Sequence, residues 1–129
     1  MKPIYLDNNA TTRVDPAVVD AMLPFFTEHF GNASSIHAFG SEVGKALKKA
    51  RSQVQALLGA EHDSEIIFTS CGTESDSTAI LSALKAQPDR NTVITTNVEH
   101  PAILTLCDWL EKEGYIVHKL KVDKKGRID

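Results

Sequence analysis

The sequence has no run of about 18 apolar residues, so nothing in it reads as a membrane-spanning helix. Its opening, MKPIYLDNNATT, lacks the apolar core of an export signal. Neither C-x-x-C nor H-E-x-x-H occurs, which argues against a structural zinc site, and no metal ligands are assigned. The phosphate-loop pattern G-x-x-x-x-G-K-[ST] and the dinucleotide fingerprint G-x-G-x-x-G are also missing. Only two cysteines are present, Cys71 and Cys107. With no export signal beside them, both read as reduced thiols in a cytoplasmic protein. Clustered positive charge is scarce too. The net charge is −3, and the densest basic group, Lys45, Lys48, Lys49 and Arg51, suits a solvated helix face. Nucleic acid is therefore not expected as a partner, because neutralising phosphates takes clustered Lys and Arg.

What is there is a globular composition, 42% hydrophobic and 24% charged, in 129 residues, the length of one ordinary domain. Charge is uneven: residues 1–110 carry 8 basic and 13 acidic side chains, residues 111–129 carry 6 and 4. Asp15-Pro16 is a helix start, an N-cap acceptor followed by proline at the first helical position. Val18, Val19, Met22, Phe25 and Phe26 recur at helical spacing towards a stop at Gly31, with Pro24 as an interior breaker. A longer helix follows GNASSIHAFG. Its apolar stripe runs from Phe39 through Val43, Ala46, Leu47, Ala50, Val54, Leu57 and Leu58 to a terminator at Gly59. From there the rhythm changes to strand EIIFT, helix ESDSTAILSALKA, strand NTVITT, helix PAILTLCDWLEKEG and strand YIVHKLKV. Alternation of this kind predicts βαβ units, hence an α/β fold with a mainly parallel sheet covered by helices. Residues 1–60 form the helical N-terminal segment of this reading, and 61–129 the first part of the α/β region.

In a parallel sheet, ligands sit beyond the carboxyl ends of the strands. TSCGTES lies at such an end. Free N–H groups and the positive end of the dipole at the following helix make a place for an anion. The small residues Ser70, Gly72 and Ser75 let the anion approach the backbone, and the Thr73 hydroxyl adds a donor. The plainer alternative is a capped turn with Thr73 or Ser70 as N-cap. Cys71 has two readings as well: a nucleophile activated by the helix start, or a small loop residue. Cys107, with Ile103, Leu104 and Leu110, reads as core. TTNVEHPAIL is a second strand-to-helix junction, and it places His100 at the same sheet edge. An imidazole there stacks on a flat ring, moves a proton, or merely caps the helix. Together the two loops favour a phosphorylated aromatic cofactor, which the residues alone do not name.

At these residues the sequence resembles the cysteine desulfurases of the NifS/IscS type, within the class V aminotransferases and the fold-type I pyridoxal-phosphate enzymes. The matching pieces are YLDNNATT, GNASSIH, EIIFTSCGTES and VEHPAIL, in order and across the whole chain; LDNNATT and TSCGTES look most like the nitrogen-fixation branch. The resemblance implies pyridoxal 5'-phosphate as cofactor, with Gly72 and Thr73 on its phosphate and His100 catalytic, stacked on its ring. It implies places for Asn8, Ala10, Thr11 and His37 near the substrate or a dimer-shared site. It further implies conversion of L-cysteine to L-alanine, a persulfide passed to an iron–sulfur scaffold protein, and a homodimer. One departure is visible: Ala33 stands where such enzymes usually carry proline. The sulfur-accepting cysteine of such enzymes lies far downstream, so the resemblance makes Cys71 a loop residue beside the phosphate.

The family is about three times longer than this chain, as a two-domain enzyme should be. The cofactor-binding lysine, the aspartate facing the pyridine nitrogen and the nucleophilic cysteine have no match here. His118-Lys119 mimics a His-Lys pair, but alternation puts Lys119 and Lys121 on one solvated strand face. The expectation is therefore an N-terminal part of such an enzyme, inactive by itself. The alternatives are a selenocysteine lyase or other class V aminotransferase, a truncated binding module without catalysis, and a phosphate-binding domain of flavodoxin type.

Overall fold

The computed structural model describes residues 3–128; Met1, Lys2 and Asp129 lie outside the described residues. The chain forms two compact units, Met1–Ile67 and Phe68–Asp129.

In the first unit, α1 covers Pro16–Met22 and α2 covers Pro24–Thr27. Asp15 caps α1 by accepting the Ala17 N–H at 2.8 Å. The single helix expected to reach Gly31 is thus broken at Leu23. Pro24 has no N–H to continue the ladder and instead opens the next helix at its first position. Helix α3 spans Ala38–Leu58 and ends at Gly59, whose φ of 70° is the left-handed cap that glycine adopts without strain. The Gln55 side chain then holds the departing strand of chain, donating to the carbonyls of Ala60 and Glu61 at 3.3 and 3.1 Å. A short 3-10 turn follows at Asp63–Glu65.

The loop before α3 folds tightly onto it. A Cβ on Gly40 would collide with the carbonyls of Asn32 and Ser35, and one on Gly44 would press the Ala33 carbonyl at 3.1 Å. Asn32 ties the turn around Ala33. Its side-chain oxygen accepts the Ser34 N–H at 2.9 Å and its carbonyl the Ser35 N–H at 2.9 Å.

The second unit holds α4 (Gly72–Ala86), β1 (Thr92–Thr96), α5 (Pro101–Lys112) and β2 (Ile116–Leu120). β1 and β2 pair in parallel, with Thr92 opposite Ile116 and Thr96 opposite Leu120. The sheet has these two strands among the described residues. The strand expected at 65–69 is not part of it. Strands exist where a neighbour takes both backbone groups of alternate residues; here the Ile66 N–H goes back to Asp63, and its carbonyl accepts Arg51 Nε at 3.2 Å. α5 packs on β2 and buries Cys107 and Leu110 completely, as the apolar stripe predicted. Lys119 corrects the alternation argument. It faces α5, half-buried, and pairs with Asp108 at 2.5 Å and Glu111 at 3.3 Å, because α5 covers that side of β2. Lys121 is exposed, as expected.

No helix among the described residues is long and apolar enough to cross a membrane.

Candidate functional site

The candidate residues fall in both units. Asn8, Ala10, Thr11 and His37 belong to the first, and Gly72, Thr73 and His100 to the second.

Within the first unit, Tyr5 organises the N-terminal motif: its one hydroxyl proton is shared between the carbonyls of Asp7 and Thr11, which lie 2.8 and 3.1 Å from the oxygen. The Ala10 N–H returns to the Asp7 carbonyl at 3.1 Å, so Asn8 to Thr11 form a tied turn. His37 caps α3: its Nδ1 accepts the Gly40 N–H at 3.4 Å, and its ring meets Phe39 edge-on.

In the second unit the two junctions come together. Gly72, Thr73, Asp76 and His100 line one cavity of about 320 Å³. A larger open groove of about 630 Å³ shares Thr73 and His100 and runs between α4 and α5 past Ser77, Thr105, Leu106 and Trp109. Asp76 and Trp109 were not singled out from the sequence. Asp76 follows Thr73 by three residues, a spacing that puts both on one helix face and was the available signal.

His100 is the N-cap of α5, with Nδ1 accepting the Ala102 N–H at 3.2 Å. That bond leaves the proton of a neutral ring on Nε2. The loop presenting it is braced: the Thr96 hydroxyl donates to the Glu99 carboxylate at 2.7 Å, and the Asn97 N–H reaches the Leu120 carbonyl at 2.9 Å. The capping reading of His100 is thus correct, and it leaves the imidazole lining the cavity.

At the other junction, α4 begins at Gly72, two residues earlier than expected, and its N-cap is Cys71 instead of Ser70 or Thr73. The Cys71 thiol is exposed and held below its ordinary pKa, chiefly by the Glu74 backbone N–H. Cys107 is the opposite case. Burial pushes its thiol up, and it is inert core.

Gly72 offers a test of what the cradle holds. A Cβ there would meet nothing within 4 Å, so packing inside the chain does not demand glycine. The Thr73 hydroxyl has no hydrogen-bond partner among the described residues. Bare backbone at a helix start, a spare hydroxyl and an imidazole across the cavity fit a phosphate joined to a flat ring.

Residues 4–129 match the class-V aminotransferase family. Over its full length the chain is 78% identical to the cysteine desulfurase NifS of Azotobacter vinelandii and covers 32% of it. Among solved structures it superposes on a NifS-like protein with a TM-score of 0.87 at 39% identity, covering 95% of this chain and 34% of that one. It also superposes on SspA in complex with cysteine, with a TM-score of 0.75 at 33% identity, covering 86% and 32%. The chain spans about a third of the length of the curated relatives it matches. These relatives are fold-type I pyridoxal-phosphate enzymes, and the donors at Gly72 and Thr73 suit that cofactor's phosphate. On these matches the chain belongs to the class-V aminotransferase family.

Proposed function

We propose that these residues are the N-terminal part of a pyridoxal-phosphate-dependent cysteine desulfurase. It would convert L-cysteine to L-alanine and leave the sulfur as an enzyme persulfide. The observation that carries the reading is the single cavity lined by Gly72, Thr73 and His100 at two helix starts. In the cell, the sulfur would go to an iron–sulfur scaffold protein, with nitrogenase maturation as the purpose, in a cytoplasmic homodimer.

When bound, the cofactor supplies an electron sink for cleavage next to the substrate amine. The chain's own groups do the rest. The Gly72 and Thr73 amides and the Thr73 hydroxyl would hold the phosphate. His100 would stack against the cofactor ring and present its Nε2–H as a donor, and it could take up a proton only at Nδ1, by releasing the Ala102 N–H. The roles of Asn8, Ala10, Thr11 and His37 near the substrate rest on the family resemblance alone.

Titration of the full-length protein with pyridoxal phosphate, followed by absorbance, tests this. Thr73→Ala removes a hydrogen bond to a charged group, so the expected rise in Kd is about tenfold or more. An unchanged Kd, or no alanine formed from cysteine by the wild type, sinks the proposal.

A further inference from the structure

The loop that carries Gly72 spends its donors unevenly. Ser70 precedes the N-cap, and its N–H and hydroxyl both go to one oxygen of the Glu74 carboxylate, each at 2.6 Å. Glu74 is the third residue of α4, where the helix dipole favours a negative charge. Its carboxyl lies below the ordinary value, chiefly because of the Ser70 hydroxyl and then the Ser70 N–H. On the other side of the loop, the Thr69 hydroxyl donates to the Cys71 carbonyl at 3.1 Å and takes the Ser75 hydroxyl hydrogen bond at 2.5 Å. Thr69, Ser70 and Ser75 are therefore occupied within the loop. The Thr73 hydroxyl is not.

We propose that Glu74 is a positioning residue of the anion cradle. By holding both donors of Ser70 it shapes the turn so that an anion meets Gly72 and Thr73, while Ser70 is not an anion ligand. The inference rests on the cradle reading above and adds which neighbour makes it work. It carries an internal opposition, because a carboxylate within a turn of a phosphate also repels it. Removing Glu74 loosens the cradle and relieves the repulsion, so the sign of the effect tells which one dominates. Positioning is the stronger, since the two short charge-assisted bonds act directly on the loop and the repulsion is screened at an exposed site.

The experiment measures inorganic phosphate binding to the full-length protein freed of cofactor, by calorimetry and phosphorus NMR. Glu74→Ala is expected to raise the phosphate Kd about tenfold and shift the bound resonance. Glu74→Gln keeps an acceptor oxygen and is expected to stay within about threefold of wild type, as is Ser70→Ala, while Thr73→Ala loses about tenfold. A purely structural role would lower the unfolding temperature of Glu74→Ala and leave the Kd of the folded protein unchanged, which overturns the proposal. Tighter binding by Glu74→Ala overturns it too, as does a loss in Ser70→Ala equal to that in Thr73→Ala. If Thr73→Ala alone leaves phosphate and cofactor binding untouched, the cradle reading itself falls, whatever Glu74 does.

Discussion

The two units are built from similar material and hold together differently. In Met1–Ile67, Gly40 is the one buried residue among those described, and large apolar side chains stand open: Phe26 is 72% exposed, Phe39 61% and Leu57 83%. In Phe68–Asp129, α5 lies on a parallel strand pair and seals Cys107 and Leu110. The first unit is organised by local devices: the Asp15 cap, the Pro24 break, the Asn32 turn and the left-handed Gly59. The second is organised by contact between elements far apart in sequence. Local devices place helix boundaries well and contribute about 1 kcal/mol each; burial contributes more per residue and couples whole elements. The candidate cofactor residues Gly72, Thr73 and His100 lie in the unit that has the buried centre.

Leu110→Ala should break the contrast most severely. Emptying a fully buried leucine costs about 2–5 kcal/mol, and denaturant unfolding should show it. Leu57→Ala, on the exposed end of α3, should change stability by less than about 0.5 kcal/mol. Equal effects would mean that the two units do not differ in the way described. Gly40→Ala comes next, at about 1–3 kcal/mol, because its Cβ would strike the carbonyls of Asn32 and Ser35. Hydrogen exchange should then accelerate around residues 31–40 and leave the amides of β1 and β2 as they were.

The smallest effect belongs to Lys119. Its hydrogen bond with Asp108 holds the carboxyl below the ordinary value and the ammonium above it. For Asp108 the stabilisation is present above the unfolded carboxylate pKa and fades as pH falls through the depressed folded value. For Lys119 it is present below the unfolded lysine pKa and fades as pH rises through the raised one. Lys119→Met should therefore differ from wild type by a small, constant amount between about pH 4 and pH 10, with the gap closing outside that window. A gap that varies across neutral pH would show that some other group is responsible. The same ion pair keeps Lys119 protonated, which argues against it as a carbonyl nucleophile.

Much of this was legible in the residues. Asp15-Pro16, Gly59 and Pro101 mark helix ends through backbone chemistry that acts within a few positions. The period of the apolar stripe on α5 pointed to Cys107 and Leu110 as core. TSCGTES announced a helix start suited to an anion, and VEHPAIL placed an imidazole at the next one. Less legible was anything that depends on a partner distant in sequence. EIIFT has the composition of a strand, but Asp63 and Arg51 occupy Ile66 where a neighbouring strand would have to. Lys119 alternates as a solvated residue should, until α5 covers its face with two carboxylates.

The division follows from the range of each interaction. Caps, proline breaks and left-handed glycines act over one turn of chain, so the amino-acid order alone determined where α1 and α5 begin and where α3 stops; α3 itself begins at Ala38, inside the stretch expected to precede it. It likewise determined that a bare helix N-terminus would follow Phe68. Only the tertiary structure decided that Glu74 would claim both donors of Ser70, that Asp76 would join Thr73 and His100 around one cavity, and that Lys119 would be paired. Those outcomes depend on which side chains reach the same point in space, and spacing along a chain does not specify that until the elements have packed.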